Sequence, residues 1–157
     1  QIIVILQPKF MKLTTKGRYA IMAMADLATF SNDKPISLNE ISVRQNISLS
    51  YLEQLFIKLR DEKLVKSSRG ANGGYKLERP ASQIKLSNII LAVNEEAKTL
   101  GCKKESKKGC NNKLKKCITH NLWDKLDQHI NGFFENIKLE ELIINEKKYW
   151  NRKFKRL

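Results

Sequence analysis

From residue 15 to residue 62 the apolar positions recur at three- and four-residue steps, the period of helices that bury one face. Two interruptions divide the run. NDKP ends a first helix, TKGRYAIMAMADLATF, at 15–30. A short helix follows at 37–45, with Ser37 as N-cap and Glu40 three residues on, the capping-box pattern. Asn46 and Ile47 then form a tight turn, since Asn tolerates a left-handed backbone. Ser48 caps a third helix over 49–62, whose apolar face is Leu52, Leu55, Phe56 and Leu59. Its opposite face carries Tyr51, Gln54 and Lys58, with Ser50 and Glu53 near its start.

Beyond that helix, LVKSS at 64–68 and YKLER at 75–79 predict two strands joined by RGANGG, and Pro80 ends the hairpin. The glycine loop is not a phosphate-binding P-loop, because no Gly-Lys-Ser/Thr ending or helix follows it. LSNIILAVNEE at 86–96 predicts a fourth helix. A long helix from about residue 119 places Leu122, Trp123, Leu126, Ile130, Phe133, Phe134 and Ile137 on one stripe. KLEELI at 138–143 is a shorter helix, and KKYWNRKFKRL is a basic tail.

Helix, short helix, tight turn, helix, hairpin is the order of a winged helix-turn-helix. The fold class expected is mainly α with a small β-wing, plus a long helix for dimerisation. The organisation is an N-terminal extension at 1–10, a winged domain at 11–97, a cysteine segment at 98–120, a dimerisation region at 121–144 and a tail at 145–157. Such a fold buries one face of its second short helix and leaves the other for the major groove. Ser48, Ser50, Tyr51, Glu53 and Gln54 occupy the base-reading positions, and Gln54 has the groups to read adenine as Glu53 has to accept from cytosine. Lys58 lies further along the same face, and Arg69 at the hairpin tip is placed for the backbone or minor groove. The stripe on the long helix is too apolar for solvent, so the core or a second subunit covers it. Symmetric dimers reading two half-sites are the usual use of such folds, which favours a homodimer on a palindromic operator. His129 reads as a surface or interface residue.

The net charge of +14 points the same way. Residues 1–97 carry +5, residues 98–117 carry +7 from eight Lys and one Glu, and residues 118–157 carry +2. AT-rich coding DNA also enriches Lys, so charge supports nucleic-acid binding only beside the fold. No segment is long enough to span a bilayer. The run IIVIL is too short for a secretory core and no charged region precedes it. Residues 1–10 read as an upstream extension before Met11, and the expected location is cytoplasmic.

All three cysteines sit within 16 residues, spaced Cys102-x7-Cys110-x6-Cys117-x2-His120. Three thiolates and an imidazole form a four-ligand set for zinc or an iron–sulfur cluster. The surrounding lysines favour thiolates over thiols. Residues 98–117 have few apolar groups with which to offset ordering entropy, so a bound metal would select between two states of the segment.

MKLTTKGRYA at 11–20, ISLSYLEQLF at 47–56, VKSSRGANGGYKL at 65–77 and CITHNLWDKL at 117–126 resemble the iron–sulfur-cluster-sensing regulator of the Isc cluster-assembly operon, from Met11 to about Asn145. The resemblance implies a homodimeric winged-helix transcription factor with a [2Fe-2S] cluster on Cys102, Cys110, Cys117 and His120. It also implies DNA contacts from Ser48, Ser50, Tyr51, Glu53, Gln54 and Arg69. In the family that the chain resembles, the residue matching Glu53 repels one class of site unless the cluster is bound, and the resemblance implies that the holo form represses cluster-assembly genes. The cysteine intervals are wider than in the commonest form and approach an iron-responsive sister group that holds [4Fe-4S]. That group lacks the Cys-x2-His step kept here. A nitric-oxide-sensing sister uses an Asp in the first helix where this chain has Arg18, and Asn46 stands where Gly is usual. The expectation is a cluster-dependent DNA-binding repressor and not an enzyme. The rivals are an iron-responsive [4Fe-4S] or zinc-binding repressor of the same fold, and a redox or electron-transfer protein without DNA binding.

Overall fold

The computed structural model describes residues 15–31, 34–93 and 116–144. The extension at 1–10, Cys102, Cys110 and the tail at 145–157 lie outside the described residues. Three helices come first: α1 (Thr15–Phe30), α2 (Leu38–Gln45) and α3 (Leu49–Asp61). Strands β1 (Val65–Ser68) and β2 (Gly74–Leu77) pair antiparallel, with Val65 opposite Leu77 and Ser68 opposite Gly74. A 3-10 turn at Ala81–Gln83 leads to α4 (Leu86–Ala92), and α5 spans His120–Asn136.

Each element begins or ends where its side chains dictate. Ser37 Oγ accepts from Glu40 N at 3.2 Å, and the Glu40 carboxylate accepts from Ser37 N at 2.9 Å. This closes the capping box at the start of α2. Asn46 ends α2 in the left-handed region, at φ 52° and ψ 47°. The Ser42 hydroxyl donates to Ile47 O at 2.6 Å, and Ser42 O accepts from Ile47 N at 3.2 Å. Those two bonds, with Ile47 buried, set the angle between α2 and α3. Ser48 Oγ then caps α3 by accepting from Tyr51 N at 3.3 Å.

Helices α1 to α4 and strand β1 supply most of the buried core. Leu52, Leu55, Phe56 and Leu59 are buried, as the helical spacing predicts, against Ala20, Ala23, Met24 and Leu27 of α1 and Ile41 of α2. Leu64, Val65, Ile84, Ile89 and Leu139 also belong to it. The wing is anchored twice. The Phe56 and Tyr75 rings meet edge-on at 4.8 Å. Tyr75 also exchanges both backbone hydrogen bonds with Ile36, at 2.7 and 2.9 Å, so a single bridge fastens the loop before α2 to the wing.

The boundaries differ from expectation in the hairpin and in α4. The hairpin is set one residue earlier in its second strand, which begins at Gly74 and stops at Leu77 rather than running over 75–79. Helix α4 ends at Ala92 with Val93 as its C-cap, and residues 94–96 of the expected helix lie outside the described residues. The stripe on α5 is not core, since no residue of that helix is buried. Only its C-terminal end packs on the core, through Phe134 and then Ile137. There the chain makes a second unforeseen pairing, Leu86 N to Ile137 O at 2.9 Å and Leu139 N to Ile84 O at 2.8 Å. Glu135 accepts from Lys85 Nζ and from Ser87 Oγ, which joins the end of α5 to the start of α4. Helical residues 139–144 follow.

Candidate nucleic-acid interface and cysteine segment

Helix α3 presents two chemically distinct sides. The buried side is fully apolar, and Ser48, Ser50, Glu53 and Gln54 are exposed on the other. Tyr51 and Lys58 are half-buried there. Ser48 spends an acceptor lone pair on the helix cap, and its hydroxyl hydrogen is not used by that bond. Arg69 is exposed in the loop between the strands, next to Gly70 at φ +113°. The exposed residues thus lie on one helix face and one hairpin tip, both held by the same core through Phe56 and Tyr75.

Helix α1 borders this surface, which the sequence reading missed. The Tyr19 ring meets Tyr51 edge-on at 5.8 Å. One turn earlier, Lys16, with a smaller effect of desolvation, holds the Lys58 ammonium below the ordinary lysine range. The signal in the sequence was TKGRYA, a basic first turn directly ahead of an apolar helix. A second unforeseen feature lies behind the interface. Arg44 donates to the buried Asp26 carboxylate through Nε and Nη2, at 2.7 to 3.2 Å, and Gln45 Nε2 adds a bond at 2.7 Å. These bonds tie the last turn of α2 to α1.

Of the four expected ligands, Cys117 and His120 fall among the described residues. His120 N donates to Cys117 O at 3.0 Å, so the Cys-x2-His step is a closed turn at the start of α5. Cys117 and His120 are both half-buried. Cys117 Sγ lies 3.7 Å from Thr119 Oγ1, which accepts from Trp123 Nε1 at 3.1 Å. The thiol is thereby linked to the first turn of α5. A soft thiolate and an imidazole leaving one turn suit zinc or an iron–sulfur centre. Among the described residues no group of three or more candidate ligands gathers.

Three packed helices, a tight turn and a two-stranded wing beside an exposed polar helix define a winged helix-turn-helix, an architecture of DNA-binding regulators. Residues 13–145 match the Rrf2 family, described as an iron-dependent transcriptional regulator, and the chain belongs to that family. The HTH-type transcriptional regulator IscR of Serratia proteamaculans (strain 568) is 48% identical over 136 residues, 87% of this chain and 81% of that protein. A putative HTH-type transcriptional regulator of Haemophilus influenzae is 48% identical over 149 residues, 94% of this chain and 97% of that one. The structure of T. potens IscR aligns with a TM-score of 0.70 at 35% identity, over 88% of this chain and 90% of that one. CymR (YrzC), the global cysteine regulator of B. subtilis, aligns with a TM-score of 0.71 at 30% identity, over 87% and 98%. The chain is therefore a DNA-binding transcriptional regulator similar to IscR. Among the described residues no helix is long and apolar enough to cross a membrane.

Proposed function

We propose that this regulator is a cytoplasmic homodimer that represses iron–sulfur cluster assembly genes and selects promoters according to a bound [2Fe-2S] cluster. The observation that carries the DNA half is α3, apolar and buried on one side, polar and exposed on the other. Ser48, Ser50, Tyr51, Glu53 and Gln54 read base edges, and Lys58 and Arg69 hold the backbone. Gln54 pairs with adenine through two hydrogen bonds. Glu53, an exposed carboxylate on the same face, accepts from a cytosine amino group and opposes acceptor edges, so it is the residue through which promoter choice operates.

Cys102, Cys110, Cys117 and His120 are the ligands. The closed Cys117–His120 turn supports the last two, and the spacing of the cysteines supports the first two. A bound cluster supplies metal–ligand bonds that tie the lysine-rich segment at 98–117 to the start of α5. The family description as iron-dependent, and the likeness to IscR, favour a cluster over zinc.

Anaerobic purification with iron, sulfide and zinc assayed beside the visible spectrum tests this half. About two irons and two sulfides per chain are expected, both lost in Cys110→Ala. About four of each would replace [2Fe-2S] by [4Fe-4S]. Zinc without sulfide would sink the cluster mechanism and leave the DNA-binding fold standing. Sequence selection from a random duplex pool tests the other half: Gln54→Ala should broaden the preferred site, and an unchanged preference would reject α3 as the reading helix.

A further inference from the structure

Ile57 of α3 is 48% exposed, although it stands in a row of polar side chains. Ser50, Glu53, Gln54 and Ile57 are spaced i, i+3, i+4, i+7, which puts them on one face of the helix, and all four are exposed. Ile57 comes seven positions after Ser50, about 20° short of two full turns, so it falls between Glu53 and Gln54, near the midline of that face. Leu52, Leu55, Phe56 and Leu59 are buried on the other side. Single exposed apolar residues are ordinary on a protein surface and carry no message by themselves. Ile57 is distinguished by its row, which it shares with the residues assigned to base edges.

The residue type matters as much as the place. Isoleucine is a weaker helix former than the Lys, Glu or Gln that solvent-facing positions ordinarily hold, so the stability of α3 does not account for it. Its β-branch holds χ1 to essentially one rotamer in a helix, and its methyl groups therefore point in a fixed direction before any partner arrives. In the major groove the base edges present donors, acceptors and one apolar group, the C5 methyl of thymine. A side chain with no donor or acceptor matches only that group. Set against guanine O6 and N7 or the cytosine amino group, it would leave polar atoms without a partner. The homeodomain helix that lies in the major groove touches DNA from four positions at these same intervals.

We propose that Ile57 is a specificity-determining residue of this regulator and packs on the C5 methyl of one thymine in each half-site. This rests on the assignment of α3 as the reading helix. The rise from Ser50 to Ile57 is about 10.5 Å, so the thymine lies within about three base pairs of the one that Ser50 faces. Glu53 and Gln54 select by hydrogen bonds, and Ile57 selects by removing a methyl group from water. It makes no bond to phosphate. Its contribution is to sequence preference and not to the salt-dependent affinity that all duplexes share.

The test uses the full-length protein and an operator duplex selected with the wild type from a random pool. Each thymine, on either strand, is replaced in turn by deoxyuridine, which removes the C5 methyl and leaves every hydrogen-bonding group in place. At one thymine per half-site the wild type should lose about fourfold in affinity, the contribution of one buried methyl group. Ile57→Ala should show no loss from deoxyuridine at that position, keep the wild-type response at every other thymine, and keep the wild-type salt slope. Ile57→Val, shorter by one methylene, should retain part of the response. A scan in which no thymine responds would overturn the contact, as would a response of the same size in Ile57→Ala. So would an Ile57→Ala that weakens the operator and an unrelated duplex by one common factor. Gln54→Ala, measured alongside, separates this outcome from failure of the reading helix. If it broadens the preferred site while the deoxyuridine scan is flat, Ile57 alone is rejected; if it too changes nothing, α3 is rejected with it.

Discussion

The Asp26 side chain is fully buried, and the Arg44 guanidinium that reaches it remains 29% exposed. The pair is asymmetric as a result. Asp26 is held by donors from Arg44 and Gln45, and Arg44 is further supported by lying 4.5 Å over the Phe30 ring. Hydrogen bonding to Asp26 raises the Arg44 pKa against a smaller cost of desolvation. Removing the arginine strands a buried carboxylate, whereas removing the aspartate frees an arginine that can turn to water. Arg44→Met should cost about 3 kcal/mol, in the range for leaving a buried charge unpaired. Asp26→Ala should cost less, helped by the better helix propensity of Ala in α1. Urea unfolding of both variants checks the order, and a larger loss for Asp26→Ala would refute the asymmetry.

The capping box at Ser37 gives α2 a dependence on pH. Hydrogen bonds from the Ser37 hydroxyl, and then from its backbone N–H, hold the Glu40 carboxyl below the ordinary glutamate range, against a slight opposing effect of burial. A carboxyl whose folded pKa is depressed binds fewer protons when folded than when unfolded. Its contribution is therefore complete above the unfolded value and is lost as pH falls through the folded one. Glu40→Gln retains an acceptor but not the charge. The melting temperature of the wild type should exceed that of Glu40→Gln at neutral pH, and the gap should close in acid. Ser37→Ala should cost about 1 kcal/mol at neutral pH. A gap that widens in acid would show the sign to be wrong.

Gly74 is the residue on which the wing closes. Its φ is +155°, and a Cβ there would stand 2.4 Å from Ile36 O. Gly70 at the tip has φ +113° but nothing within 4 Å of its Cβ position. Both substitutions by Ala pay backbone strain of about 1–3 kcal/mol, but only Gly74→Ala also forces Ile36 and Tyr75 apart. Gly74→Ala should therefore destabilise more and lower DNA affinity through Arg69, with amide exchange at Ile36 and Tyr75 accelerated. Equal effects of the two substitutions would mean that the Ile36 bridge does not hold the wing.

The helical domain was readable because its signals are local. Ser37 and Glu40 are three residues apart, Asn46 declares its own backbone, and four apolar residues at helical spacing declare one face of α3. What escaped the sequence depends on distant partners. Asp26 appeared only as a polar break in an apolar helix, and its donors lie 18 and 19 residues away. The pairing of Ile84 and Leu86 with Leu139 and Ile137 crosses more than 50 positions and carries no turn residues to announce it. Tyr19 and Tyr51 meet only once α1 and α3 are packed. In the candidate metal centre, the Cys-x2-His spacing was legible and the structure closes it as one turn, and Cys102 and Cys110 lie outside the described residues.

Helix α5 supplies the last prediction. Leu122 is 59% and Phe133 60% exposed, and the two are 11 residues apart, close to three full turns, so they lie on the same side of the helix. Leu126 and Ile130 fall between them and are half-buried. Among the described residues the core covers only the C-terminal end, where Glu135 is held by Lys85 and Ser87. An apolar face of this length, left open among the described residues, fits a second copy of α5. Leu122→Glu with Phe133→Glu should convert the protein to monomer in sedimentation experiments. An apolar anchor removed from the centre of an interface costs about 2 kcal/mol or more, roughly 30-fold in the dimer constant. Both positions lie on α5, outside α3 and the wing, so the monomer should still bind a half-site duplex. On a full palindrome its salt slope should fall to about half, because one set of phosphate contacts is lost. A variant that remains dimeric and keeps the full slope would place the subunit contact elsewhere.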